Sequence, residues 1–234
     1  MSEPALELTG VTAGYGRSMV LHDVSVVVPK GGAIAVMGHN GAGKTTLLRA
    51  AVGLLPVRSG RILLDGEEVT KLRPNQRVKR GLGYVPQGQL AFGQMTTLEN
   101  LQLVADGRKN GAALISDALD TFPALKALLS RRAGLLSGGQ RQQLAIARTL
   151  ITEPRVLILD EPTEGIQPNV VTEIEGFITA LTRRGDLSVL LVEQHVGFAL
   201  RATDSYYVIE SGRITSNGVG GPGAIDSVRA AMAV

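Results

Sequence analysis

The sequence predicts an α/β fold with a mostly parallel sheet whose strand ends carry phosphate-handling chemistry. Three observations predict it. Residues 33–37, 156–159 and 189–192 are unbroken apolar runs, the pattern of strands buried on both faces. Each run stops at a polar cluster: a glycine loop from Gly38, the pair Asp160-Glu161, and Glu193-Gln194-His195. In open α/β sheets, ligands bind at the carboxyl ends of the strands, and three such ends in one chain outweigh any single motif.

The elements follow in order. Residues 6–11 and 24–28 read as strands around the turn-rich Ala13-Gly14-Tyr15-Gly16-Arg17. A helix over 44–54 opens directly from the glycine loop. The stretch 97–129 places Leu98, Leu101, Leu114, Leu119, Phe122 and Leu125 without any strand-like run and reads as helical. Residues 137–151 carry Leu144, Ala147, Leu150 and Ile151 at helical spacing. Together these form a helical lobe over about 88–150, inserted between two parts of the sheet. A helix over 168–183 starts with proline in its first turn, where its missing N–H costs nothing. Gly218-Val219-Gly220-Gly221-Pro222-Gly223 predicts a break, so 218–234 is expected as a flexible tail with a short helix. The 234 residues suit one domain.

Composition bounds the function. Hydrophobic residues make up 44% and charged residues 19%, so a packed core is expected. Aromatics are 3% with no Trp, which argues against a protein that stacks nucleic-acid bases on rings. There is no Cys, and His22, His39 and His195 are scattered, so neither thiolate nor histidine metal sites are expected. The net charge of +3 is spread along the chain. Met1-Ser2-Glu3-Pro4 does not read as a secretory signal, and no run approaches the roughly 18 apolar residues of a membrane span. A soluble, cytoplasmic protein is expected, with any membrane role exercised through a partner.

Gly38-His39-Asn40-Gly41-Ala42-Gly43-Lys44-Thr45 fits G-x-x-x-x-G-K-[ST] between an apolar strand and a helix. Its glycines let backbone N–H groups face one concavity and cradle phosphate oxygens. Lys44 reaches the β- and γ-phosphates, and Thr45 can hold Mg²⁺. Thr46 completes the candidate nucleotide-binding segment. Asp160 can hold Mg²⁺ through water, and Glu161 can polarise the attacking water. Leu136-Ser137-Gly138-Gly139-Gln140 opens a helix with Ser137 as N-cap. That geometry also presents N–H groups and a hydroxyl to an anion.

With these motifs the chain resembles the nucleotide-binding subunit of ABC transporters over nearly its whole length, with the P-loop ATPase fold, an antiparallel N-terminal β subdomain and ATP with Mg²⁺ as ligands. Gly38 to Thr45 resembles Walker A, Val156 to Glu161 Walker B, and Leu136 to Gln140 the signature that separates this family from other P-loop proteins. The resemblance implies that Tyr15 stacks on adenine, that Gln87 senses Mg²⁺ and the transmembrane partner, and that His195 contacts the γ-phosphate. It implies a head-to-tail dimer in which Ser137, Gly138, Gly139 and Gln140 close on the ATP held by the other subunit. It further implies two permease subunits, a soluble binding protein outside the membrane, and a place on the membrane's cytoplasmic face. One residue departs from the family: Gln167 stands before Pro168 where an aspartate usually couples the two ATP sites. A neutral amide there carries no charge.

Leu54 to Gly60, Gly83 to Gly88, Glu161 to Pro168 and Leu191 to His195 resemble branched-chain amino acid importers and, through Glu164-Gly165-Ile166-Gln167-Pro168, the urea and short-chain amide importers of that group. Urea or an amide is therefore the expected cargo, with branched-chain amino acids as alternative and a different ATPase chain as dimer partner. Two rivals remain: a soluble ABC ATPase without transport, and a module that binds nucleotide without hydrolysis. Glu161 and His195 argue against the second rival.

Overall fold

Two sheets organise the chain in the computed structural model, which describes residues 3–185 and 187–232. The first is antiparallel. Strands β1 (Leu6–Tyr15) and β2 (Ser18–Val28) form a hairpin, and β4 (Val57–Leu64) and the short β5 (Glu67–Glu68) complete the order β2-β1-β4-β5. The hairpin runs further than the sequence predicts: Gly14 pairs with Met19 and Tyr15 with Ser18, so the expected turn shrinks to its tip.

The second sheet has the order β10-β9-β3-β8-β7-β6 among the described residues. Here β3 is Ala33–Met37, β6 Leu82–Val85, β7 Val156–Asp160, β8 Ser188–Glu193, β9 Ser205–Glu210 and β10 Arg213–Val219. Strands β9, β3, β8, β7 and β6 run parallel, and β10 returns antiparallel along the edge. Alternate residues of β3 and β7 enter different cores. Ile34, Val36, Val156 and Ile158 face the antiparallel sheet and helix α1 (Lys44–Val52). Ala35, Met37, Leu157 and Leu159 face the other helices. Burial on both faces is why these strands read as continuous apolar runs rather than as alternation.

The helical lobe is broken where the sequence reading runs on. Helix α2 (Pro74–Val78) precedes it; within it lie α3 (Thr97–Ala105) and α4 (Gly111–Thr121), then 3₁₀ turns at Pro123–Leu128 and Ala133–Leu135, then α5 (Gly138–Leu150). Thr96 starts α3 with a reciprocal cap: its hydroxyl accepts from Glu99 N–H (3.1 Å) and its N–H donates to the Glu99 carboxylate (2.6 Å). Pro123 then stops helical continuation after Phe122. Helices α6 (Pro168–Arg184), α7 (Val196–Ala202) and α8 (Ile225–Met232) cover the remaining face.

The tail differs from expectation. Gly218 and Val219 pair with Tyr206 and Ser205, and α8 buries Val228 against the core. Residues 218 and 219 end β10, Pro222–Ala224 forms a 3₁₀ turn, and α8 stands where a short helix is expected. The pairing of Gly218 and Val219 with β9 is a nonlocal contact that glycine content does not reveal. Residues 233 and 234 lie outside the described residues.

Candidate functional site

Four adjacent parallel strands, β3, β8, β7 and β6, deliver their carboxyl ends to one rim. Met37 lies opposite Glu193 and Asp160 opposite Val192. The glycine loop, Glu193-Gln194-His195, Asp160-Glu161 and Pro86-Gln87 therefore follow side by side.

The glycine loop wraps Lys44. Its ammonium donates to the carbonyls of Gly38 (2.7 Å) and His39 (3.0 Å) and lies 3.2 Å from Glu161 Oε1. Both charged side chains are buried, Lys44 at 4% exposure and Glu161 at 8%. Gly43 caps α1 with φ 113°, a left-handed conformation that a side chain would strain. Asn40 and Gly41 are exposed, Ala42 and Thr46 buried, and Thr45 half-buried at the start of α1. His39 bonds through Nε2 to the carbonyl of Met232 in α8. Tyr15, at the hairpin tip, stays 44% exposed, its hydroxyl accepting from Arg49 of α1 (3.2 Å).

Glu161 sits at φ 45°, in the left-handed region. Such a conformation costs a non-glycine residue about 1–2 kcal/mol and clusters at functional sites. Its N–H donates to Val192 O (2.9 Å), which ties Glu161 to the neighbouring strand. Its Oε2 is approached by two amides, Gln87 Nε2 and Gln194 Nε2, each at 3.4 Å. Gln87 also donates to Glu164 Oε2 (2.7 Å).

Asp160 is 2% exposed, and its Oδ2 accepts from the Tyr84 hydroxyl (3.1 Å). Burial pushes both the Asp160 carboxyl and the Tyr84 hydroxyl upward, and the Glu161 and Asp160 charges add to these respective shifts. Oδ1 of Asp160 is buried and has no hydrogen-bond partner among the described residues, an orphaned oxygen that suits a cation ligand. No group of three or more His, Cys, Asp or Glu suits a metal among the described residues. One carboxylate, the Thr45 hydroxyl and the Gln87 amide fit a hard cation that takes its other ligands from phosphate and water, as Mg²⁺ does.

Ser137 caps α5, accepting from Gln140 N–H (3.2 Å) while its own N–H donates to Gln140 Oε1 (3.0 Å). Ser137 is exposed and Leu135, two residues before it, is 64% exposed, so this helix end opens to the outside of its own subunit. Gly138 and Gln140 are half-buried. Gly139 is buried against α6, so close that a Cβ there would meet Val170 at 2.6 Å.

Lys44, Glu161, Gln87 and Asp160 thus lie together on one rim. His195 does not join them. Its side chain is exposed, and its ring has no hydrogen-bond partner among the described residues. Glu193 explains the divergence. Its Oε2 accepts from the N–H groups of Gln194 (3.2 Å) and His195 (3.3 Å), and its Oε1 from Thr163 N–H (3.2 Å) and hydroxyl (2.7 Å). The turn is pinned with Gln194 facing the rim. Sequence reasoning assigned no role to Glu193, although a carboxylate closing an apolar run is the same signal that marked Asp160. It also passed over Gln89. That residue donates to Glu164 O (3.1 Å) and accepts from Arg141 of α5 (3.4 Å), tying the helical lobe to the segment after Glu161.

Burial at 1% exposure raises the Glu193 carboxyl, with hydrogen bonds opposing the shift. A carboxyl raised in the folded state holds its proton longer there than when unfolded. Its stabilising contribution is full below the ordinary carboxylate range, around pH 4, and is lost as pH rises through the raised value. Glu193→Gln removes this titration. The stability advantage of the wild type over the variant is expected to narrow as pH rises through that window, as read from urea midpoints across a pH series. An advantage that widens would reverse the assigned shift.

Comparison with known proteins gives concordant findings. The ABC transporter family pattern matches residues 21–164. The chain is similar to a probable branched-chain amino acid transport ATP-binding protein, LivF, of Archaeoglobus fulgidus, with 41% identity over 91% of each chain. It is 38% identical to the high-affinity branched-chain amino acid transport ATP-binding protein BraG of Pseudomonas aeruginosa, over 92% of this chain and 93% of that one. Among solved structures, a nucleotide-free ATP-binding cassette from an ABC transporter superposes with a TM-score of 0.86 at 27% identity, covering 97% of this chain and 95% of that one. The ADP conformation of another such cassette gives 0.83 at 28% identity, with the same coverage.

Proposed function

Because the chain belongs to the ABC transporter family of ATP-binding subunits, an ATPase family, we propose that it powers import of a small solute from the cytoplasmic face of a membrane. The observation that carries this reading is the Lys44–Glu161 pair, 3.2 Å apart at the carboxyl rim of the parallel sheet. Lys44 binds the β- and γ-phosphates. Glu161 orients a water and takes its proton as the water oxygen bonds to the γ-phosphorus. The bond from that phosphorus to the bridging oxygen breaks and ADP leaves. Mg²⁺ held by Asp160, Thr45 and Gln87 neutralises phosphate charge when bound. Tyr15 packs on the adenine.

The open Ser137 end of α5 supports a second subunit. Ser137, Gly138 and Gln140 close on the nucleotide of a partner ATPase, and buried Gly139 lets α5 and α6 approach closely enough to present them. A chain different from this one is the proposed partner. No helix among the described residues is long and apolar enough to cross a membrane, so coupling must pass through permease subunits. A groove of about 630 Å³ supports their docking. Leu54, Val78, Leu90 and Phe92, each at least 44% exposed, line it. Arg148 stacks over Phe92 at 4.6 Å from the ring centre. Pro86 is in the same wall, so a permease helix seated there presses on the segment carrying Gln87 and hence on Glu161.

For cargo we place branched-chain amino acids first, because the two relatives above are named for them. Urea or a short-chain amide is the second reading, supported by Glu164-Gly165-Ile166-Gln167-Pro168. Delivery by a soluble binding protein belongs to both. The test is uptake of labelled leucine and of labelled urea in a strain lacking the gene. Wild type is expected to restore leucine uptake and Glu161→Gln to restore neither. Restored urea uptake alone would select the second cargo, and no change in either would remove the importer reading.

A further inference from the structure

We propose that Gln194, not His195, is the residue after β8 that positions Glu161, so that this subunit orients its catalytic carboxylate with a neutral amide in place of an imidazole. The inference rests on the ATPase reading of the rim.

The turn leaves little choice of side chain. Glu193 is buried and holds the N–H groups of both following residues on one carboxylate oxygen, while its other oxygen holds Thr163, two residues beyond Glu161. The turn after β8 and the segment after β7 are thereby locked to each other. In this locked turn Gln194 is half-buried and sends Nε2 to within 3.4 Å of Glu161 Oε2. His195 turns outward and spends its carbonyl on Ala199 N–H (3.0 Å), starting α7.

The result is a carboxylate held on three sides. Lys44 meets Oε1 at 3.2 Å, and the amides of Gln87 and Gln194 converge on Oε2. The two amide contacts are long, as catalytic hydrogen bonds commonly are before substrate tightens them. Both donors are neutral. They orient Glu161 without bringing a titrating group of their own to it. An imidazole at position 194 would also donate an N–H, but its charge would change near neutral pH.

Gln194 is a positioning residue, and its test separates it from a packing role. With the transporter assembled, Gln194→Ala is expected to lower kcat by about tenfold or more while KM for ATP stays within about twofold, the split of a group acting after substrate binds. Gln194→His keeps a donor and is expected to recover part of that loss, with a pH dependence in the imidazole range that the wild type lacks. His195→Ala is expected to stay within about twofold of wild type. The proposal is overturned if His195→Ala loses turnover as Gln194→Ala does, if Gln194→Ala keeps its turnover, or if Gln194→His recovers nothing. Turnover that survives Glu161→Gln in the same complex would instead overturn the ATPase reading of the rim.

Discussion

Glu161→Gln is expected to lower ATP turnover by about 10²- to 10⁴-fold, the range over which a positioned general base contributes, while nucleotide binding persists. The side chains are isosteric, so the backbone at φ 45° and the N–H bond to Val192 have no cause to change. What changes is chemistry. An amide cannot take the proton of the attacking water, and its neutral oxygen orients that water weakly. Lys44 loses its 3.2 Å ion-pair partner but keeps the carbonyls of Gly38 and His39, so the phosphate cradle remains. Phosphate release at saturating Mg²⁺-ATP and equilibrium titration with nucleotide separate the two effects. Turnover within tenfold of wild type would remove Glu161 from the central role.

Arg77 carries the largest expected effect on stability. It is 1% exposed, and its guanidinium donates to four carbonyls: Ala50 (2.8 Å), Ala51 (2.6 Å), Thr70 (2.9 Å) and Leu72 (3.1 Å). No acidic side chain pairs with it among the described residues. Desolvation pulls its pKa down to about 10, which still leaves it charged near neutral pH. The carbonyls of Ala50 and Ala51 belong to the last turn of α1, the negative end of that helix's dipole. Arg77 thus anchors the far end of the helix whose first residue is Lys44. Arg77→Met fills much of the space but removes the donor from the buried Ala51 carbonyl and from those of Thr70 and Leu72, while Ala50 keeps the Gly53 N–H (3.1 Å); a buried carbonyl left unpaired costs about 1–3 kcal/mol. A net loss of about 3 kcal/mol or more is expected, read as a lower urea midpoint with an unchanged slope. Unchanged stability would mean that water replaces the guanidinium at those carbonyls. ATP affinity should fall less than stability, because the phosphate-facing end of α1 is held separately by Gly43 and by Lys44's own bonds.

Much of the site was legible because its chemistry is local. The glycine loop, Asp160-Glu161 and the Ser137 cap are short segments whose residue types dictate backbone geometry within one turn or strand end. The three buried strands were equally plain, since burial on both faces imposes an apolar run that no polar residue can interrupt cheaply. Strands β6, β9 and β10 were not. β6 is four residues long with Gly83 inside it, β9 begins half-buried at Ser205, and β10 alternates polar residues along an exposed edge. Each is a strand because of the neighbour it pairs with.

The rim divides along the same line. Residue order and spacing by themselves placed a glycine loop before a helix, acids at a strand end and a capped helix start in this chain. Only the tertiary structure decided which of two consecutive side chains, Gln194 or His195, faces Glu161. It also decided that Glu193 sets that choice and that Arg77 holds the back of α1. Side-chain direction at this turn depends on how Glu193, which accepts from its N–H groups, is itself held, and the donor on its other oxygen, Thr163, lies thirty residues away in sequence.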